Sequence, residues 1–125
     1  EEIDRIATGT FYNGLSGIPI ADGSILQVPI QVGINPETGS LHEGLQAQAR
    51  QALSNLESLL TEAGLTKDSV VRATVYLDDI NNYPALNEVY GQFFEDVDVK
   101  PSRSTVGVAA LPIGAAVEID FIAVK

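Results

Sequence analysis

Hydrophobic positions along this chain change their period several times, and each change marks an element. Between positions 45 and 63, Leu45, Ala49, Ala52, Leu53, Leu56, Leu59, Leu60 and Ala63 recur at spacings of three and four. That period predicts an amphipathic helix over 45–63, with Gly64 as its stop. A second helix is predicted over 83–94, with Pro84 suited to its first turn and Leu86, Val89, Tyr90 and Phe93 as its buried stripe. Elsewhere the period is two. Over 70–77 the alternation sets Val71, Ala73, Val75 and Leu77 on one face of a strand. Over 116–124, Val117, Ile119, Phe121 and Ala123 share one face, and Ala116, Ile122 and Val124 the other. Further strands are predicted over 104–109 and 24–32, where Pro29 demands a bulge or an edge position. A short edge strand is expected over 3–8. Positions 10–23, rich in glycine, read as loop, and 35–39 and 111–114 as turns.

The predicted order is β-β-α-β-α-β-β, an α+β layout in a single domain spanning 1–125. Two amphipathic helices cover one face of one sheet. The other face also carries apolar residues, so a second subunit is expected against it.

Charge narrows the partners. The net charge is −10, and the seven basic residues are scattered, which argues against a nucleic-acid surface. There is no cysteine and one histidine, His42, so thiolate catalysis, disulfides and multi-histidine metal centres are excluded. The apolar runs are too short to span a membrane, and no secretory signal is visible. A cytoplasmic location is expected, with an organelle left open.

Candidate chemistry concentrates in the last quarter. Arg103 follows Pro101-Ser102 at the mouth of a strand, and Glu118 and Asp120 sit inside the next strand, where carboxylates are depleted. Brought together by adjacent strands, an always-charged fork and a carboxylate can bind a small acid and activate a water. The residues alone serve equally well for an arginine paired with Glu118 or Asp120 in subunit packing. Glu118 and Asp120 point the same way, so their like charges raise the pKa of one. Asn87, within a helix, reads on its own as exposed or capping.

The run Pro101-Ser102-Arg103-Ser104-Thr105-Val106-Gly107-Val108, followed by Leu111-Pro112 and Val117-Glu118-Ile119-Asp120, resembles the signature region of the RidA/YjgF family of imine deaminases. Upstream, Asn35-Pro36-Glu37-Thr38-Gly39, Gln48-Ala49-Arg50-Gln51, Ala63-Gly64, Thr74-Val75-Tyr76-Leu77 and Asn87-Glu88-Val89-Tyr90 match in the same order. The resemblance implies a chorismate-mutase-like fold and a homotrimer with sites in the clefts between subunits. It implies that Arg103 binds a substrate carboxylate, that Glu118 activates water and that Asn87 lies near the cleft. Thr105 replaces a Cys or small residue and keeps a hydroxyl. Gln31 matches the glutamine of a Ser-Gly-Gln run, but here Pro29-Ile30 precede it, so the hydrogen bond of that serine cannot form. The tyrosine of the family site corresponds to Tyr12 if four residues are inserted, or to Ser16 by ungapped counting.

The implied activity is that of a 2-iminobutanoate/2-iminopropanoate deaminase-like hydrolase, turning small 2-imino or enamino acids into 2-oxo acids and ammonia. No metal or organic cofactor is needed, because an iminium carbon is already electrophilic. Two other functions compete: a trimer that binds small carboxylates without turnover, and RNA cleavage or translation inhibition, which the acidic composition opposes.

Overall fold

The computed structural model describes residues 21–125. The strand expected over 3–8, most of the loop over 10–23, and both Tyr12 and Ser16 lie outside the described residues or at their margin. Within them the order is β1 (Ile25–Val32), α1 (Leu45–Glu62), β2 (Val70–Leu77), α2 (Tyr83–Phe93), β3 (Ser102–Gly107) and β4 (Val117–Val124). This is the expected α+β layout. The four strands form one mixed sheet in the order β1-β4-β2-β3. β4 runs antiparallel to both β1 and β2, whereas β3 runs parallel to β2. The parallel pair follows from α2, which carries the chain back between β2 and β3.

Both helices pack on the same face of the sheet. Leu53, Leu56 and Leu60 of α1 are buried against Val75, Ile119 and Phe121. Each such side chain contributes about 1.5–3 kcal/mol on burial. α1 ends where its sequence says it should. Gly64 adopts φ 76°, and the amides of Gly64 and Leu65 return to the carbonyls of Thr61 and Leu60. Only a residue at ease with positive φ closes a helix in this way.

Gln48 is the one buried polar residue of the described core. Its Nε2 donates to the His42 carbonyl at 2.9 Å, and its Oε1 accepts from the Ala116 amide at 2.8 Å. One side chain thereby ties α1 to the loop before it and to the entry of β4. Gly33 permits the approach, since a Cβ there would collide with the Gln48 backbone.

Three expectations need correction. The register between β2 and β4 shifts between Val70 and Arg72, so Val70 is buried and Val71 is exposed. Strict alternation had placed Val71 on the core face; the bulge moves it out. β3 begins and ends two residues earlier than its apolar run suggests. It can pair only as far as β2 extends, and Gly107 faces Leu77, the last residue of β2. Just past the end of α2, Phe94 is the fully buried phenylalanine, with its ring centroid 5.7 Å from that of Phe121, while Phe93 packs half-buried against the same core. The Pro29 expectation holds for the bulge: the register of β1 with β4 shifts between Val28 and Gln31, and among the described residues β1 is the outermost strand on its side.

The face away from the helices carries Arg72, Thr74, Tyr76, Glu118, Asp120 and Ile122 and has no second layer among the described residues. No described helix is long and apolar enough to cross a membrane.

Candidate functional site

Arg103 is the second residue of β3, the outermost described strand on its side, and is in register with Ala73 of β2. Residues in register on neighbouring strands point to the same face, and Ala73 is buried on the helix side. Arg103 therefore leaves the sheet toward α2. There it meets Tyr83, Asn87 and Tyr90, spaced i, i+4, i+7 and so aligned on one helix face. Nη2 of Arg103 donates to Asn87 Oδ1 at 2.7 Å and to the Tyr83 hydroxyl at 3.1 Å. The guanidinium carbon lies 4.6 Å from the Tyr90 ring centroid and 5.3 Å from that of Tyr83. Cation–π contacts of this kind contribute roughly 0.5–2 kcal/mol each. No described carboxylate lies within ion-pair distance of Arg103.

Two hydroxyls beside this arginine are buried without partners. They belong to Tyr90 and to Thr105, which is in register with Val75 and so shares the face of Arg103. Burial pushes the Tyr90 phenol up to about 12, against the pull of the Arg103 charge. The phenol is thus a neutral donor throughout the physiological range. An unmade buried hydrogen bond costs about 1–3 kcal/mol, so both hydroxyls would gain from a polar ligand.

Glu118 and Asp120 stand on the other face of the sheet. They are in register with Tyr76 and Thr74 respectively. Partial burial raises the Glu118 pKa, and the neighbouring charge of Asp120 adds to the effect. Burial also raises Asp120, opposed by a hydrogen bond from Thr74 and by the charge of Arg72. The Tyr76 phenol is raised by burial and then by the two carboxylates. A carboxylate that holds its proton more tightly than usual is a better base once ionised.

The expectation that adjacent strands bring Arg103 and Glu118 together is corrected here. β3 and β4 are consecutive in the chain but are separated in the sheet by β2, and the two side chains leave opposite faces. Within one chain they do not converge.

Asn87 is brought to Arg103, as is Thr105 by its place on β3. Gln31 lies at the far side of the described sheet, on the bulged strand β1, with its Nε2 turned onto the Pro29 carbonyl at 3.2 Å. The Tyr12 position is outside the described residues. Sequence reasoning missed Tyr83 and Tyr90 as neighbours of Arg103, taking one for a helix start and the other for core. The signal was present in their spacing with Asn87 along one helix face.

The endoribonuclease L-PSP family model matches residues 12–125. A RutC family protein of Aquifex aeolicus is 50% identical over 95 residues, covering 76% of this chain and 76% of that protein. The Escherichia coli K12 protein named "Putative reactive intermediate deaminase TdcF" is 38% identical over 104 residues, covering 82% of this chain and 81% of its own. A crystal structure of E. coli TdcF with bound serine superposes with a TM-score of 0.79 at 36% identity, over 85% of this chain and 84% of that one.

Proposed function

The chain belongs to the RidA/YjgF family, and from that premise we propose that it hydrolyses small reactive 2-imino and enamino acids to 2-oxo acids and ammonia. The observation that carries this is Arg103. In a chain of net charge −10, its guanidinium is stacked against tyrosines and kept clear of every described carboxylate. A cation held this way is suited to an external anion. The family role of a reactive intermediate deaminase and the serine held by TdcF support a small carboxylate-bearing substrate.

Arg103 binds the substrate carboxylate. The unpartnered Thr105 and Tyr90 hydroxyls stand behind it as reserve polar groups. Since Glu118 of the same chain faces away, the base is Glu118 of a neighbouring protomer in a homotrimer. Glu118 takes a proton from water as the water oxygen bonds to the C=N carbon. The π pair moves to nitrogen, giving a carbinolamine. With the protonated imine as substrate, that proton then returns to nitrogen. The hydroxyl gives its own proton to Glu118, and its electron pair forms the C=O bond as the C–N bond breaks. Ammonia leaves behind a 2-oxo acid and carries off the proton held by Glu118. The low intrinsic barrier of this step asks little beyond placement and one base.

The test generates imine from an amino acid with an oxidase and follows 2-oxo acid release. Acceleration by the protein, lost in Glu118→Gln with 2-oxo acid binding retained, supports the reading. Binding without acceleration by the parent protein would favour a non-catalytic carboxylate-binding trimer, with Pro29-Ile30 the first suspects. The endoribonuclease description of the family finds no support in this chain's charge, which repels a phosphate backbone.

A further inference from the structure

A guanidinium can grip a carboxylate through two forks, one formed by Nε and Nη2 and the other by Nη1 and Nη2. Both forks include Nη2. In this protein Nη2 of Arg103 carries two protons and already meets two protein acceptors, Asn87 Oδ1 at 2.7 Å and the Tyr83 hydroxyl at 3.1 Å. A two-pronged carboxylate therefore has to displace one of them. Asn87 holds the shorter bond and is part-buried. Tyr83 holds the longer one, and 42% of its surface is exposed at the N-terminus of α2.

We propose that the Tyr83 hydroxyl occupies the place of a substrate carboxylate oxygen on Arg103, so that Tyr83 sets the affinity of the site by competing with its ligand. Asn87 remains in place and orients the guanidinium. Tyr90 lies across the guanidinium and limits its movement when Tyr83 leaves. Only the hydroxyl competes; the Tyr83 ring, 5.3 Å from the guanidinium, can keep its stacking contact in either state. A carboxylate that fills one prong alone leaves Tyr83 where it is. A carboxylate that takes both prongs has to move it. Tyr83 thus lowers the affinity for a carboxylate held by both prongs, and its effect is on binding rather than on the chemical step.

This inference rests on the carboxylate role proposed for Arg103 but not on turnover. Its test is Tyr83→Phe, which removes the hydroxyl and keeps the ring; exposure of Tyr83 makes the change benign for folding. Titration calorimetry with 2-oxobutanoate compares the parent, Tyr83→Phe and Arg103→Lys. One net hydrogen bond corresponds to roughly a three- to tenfold change in an equilibrium constant. Tyr83→Phe is expected to lower Kd by that factor, while Arg103→Lys loses binding. In imine turnover the gain falls on KM rather than kcat. An unchanged or higher Kd in Tyr83→Phe overturns the inference, as does absence of binding by both parent and Tyr83→Phe. Tighter binding by Tyr83→Phe with no imine turnover by either protein leaves the inference standing and removes the deaminase activity instead.

Discussion

At Arg103 the difference between arginine and lysine is one of geometry rather than charge. Lysine is a point charge on a flexible stem and cannot present two parallel donors in the plane that the guanidinium holds over the Tyr90 ring. Arg103→Lys should weaken 2-oxo acid binding by at least about tenfold, with little change in the thermal midpoint, since the residue lies on an edge strand. Calorimetric titration beside a thermal melt separates the two effects. Glu118 carries a second prediction, in pH. Its pKa is raised, first by burial and then by Asp120, and a base works only when ionised. The acidic limb of kcat/KM should therefore lie above the ordinary glutamate range. Asp120→Asn should move that limb to lower pH by removing the neighbouring charge. For stability the sign is reversed: a raised carboxylate pKa favours the protonated folded state. Glu118 thus lowers the unfolding free energy as pH rises from its unfolded value through its folded one. Denaturant titrations across that window should show a flatter slope in Glu118→Gln. Arg103 and Glu118 were legible as candidates because charged residues within apolar strands stand out. Tyr83 and Tyr90 were not, because a tyrosine at helical spacing looks the same whether it packs a core or a cation.

Among the elements, the helices and β4 follow from period alone, because each buries one continuous face. What period could not supply was local irregularity. The shift between Val70 and Arg72 exposes Val71, and nothing in a run of alternating valines announces it. The end of β3 falls where its parallel partner ends, a tertiary constraint invisible in its own residues. The consequential miss was strand order. Sequence neighbours β3 and β4 are parted by β2, and this places the two candidate groups on opposite faces. Gly33 exposes the tightest junction between elements. Its Cβ would meet backbone atoms of Gln48, which cannot rotate away as a side chain tip does. Gly33→Ala should cost on the order of 1–3 kcal/mol of unfolding free energy as α1 is pushed from β1. Urea denaturation would read it, and a parental midpoint would show that the helix yields freely.

For the whole molecule, the open sheet face and the separation of Arg103 from Glu118 lead to the same proposal. That face leaves Val71 and Val106 exposed beside half-buried carboxylates. Packing of three copies would cover it and would bring Glu118 of one protomer toward Arg103 of another. Sedimentation equilibrium should give three times the chain mass at micromolar concentration; a stable monomer would contradict the assembly. The most direct test of the central claim uses two inactive variants. Arg103→Lys and Glu118→Gln are each purified, shown to be folded trimers lacking imine turnover, then mixed in equal amounts, unfolded and refolded together. If each site takes its arginine from one protomer and its glutamate from the next, every mixed trimer contains one intact pair among its three sites. Random reassembly makes about three quarters of the trimers mixed, so about a quarter of parental imine hydrolysis should return. Recovery near that level is the predicted result. No recovery from trimers shown to be mixed would contradict a shared site built from Arg103 and Glu118.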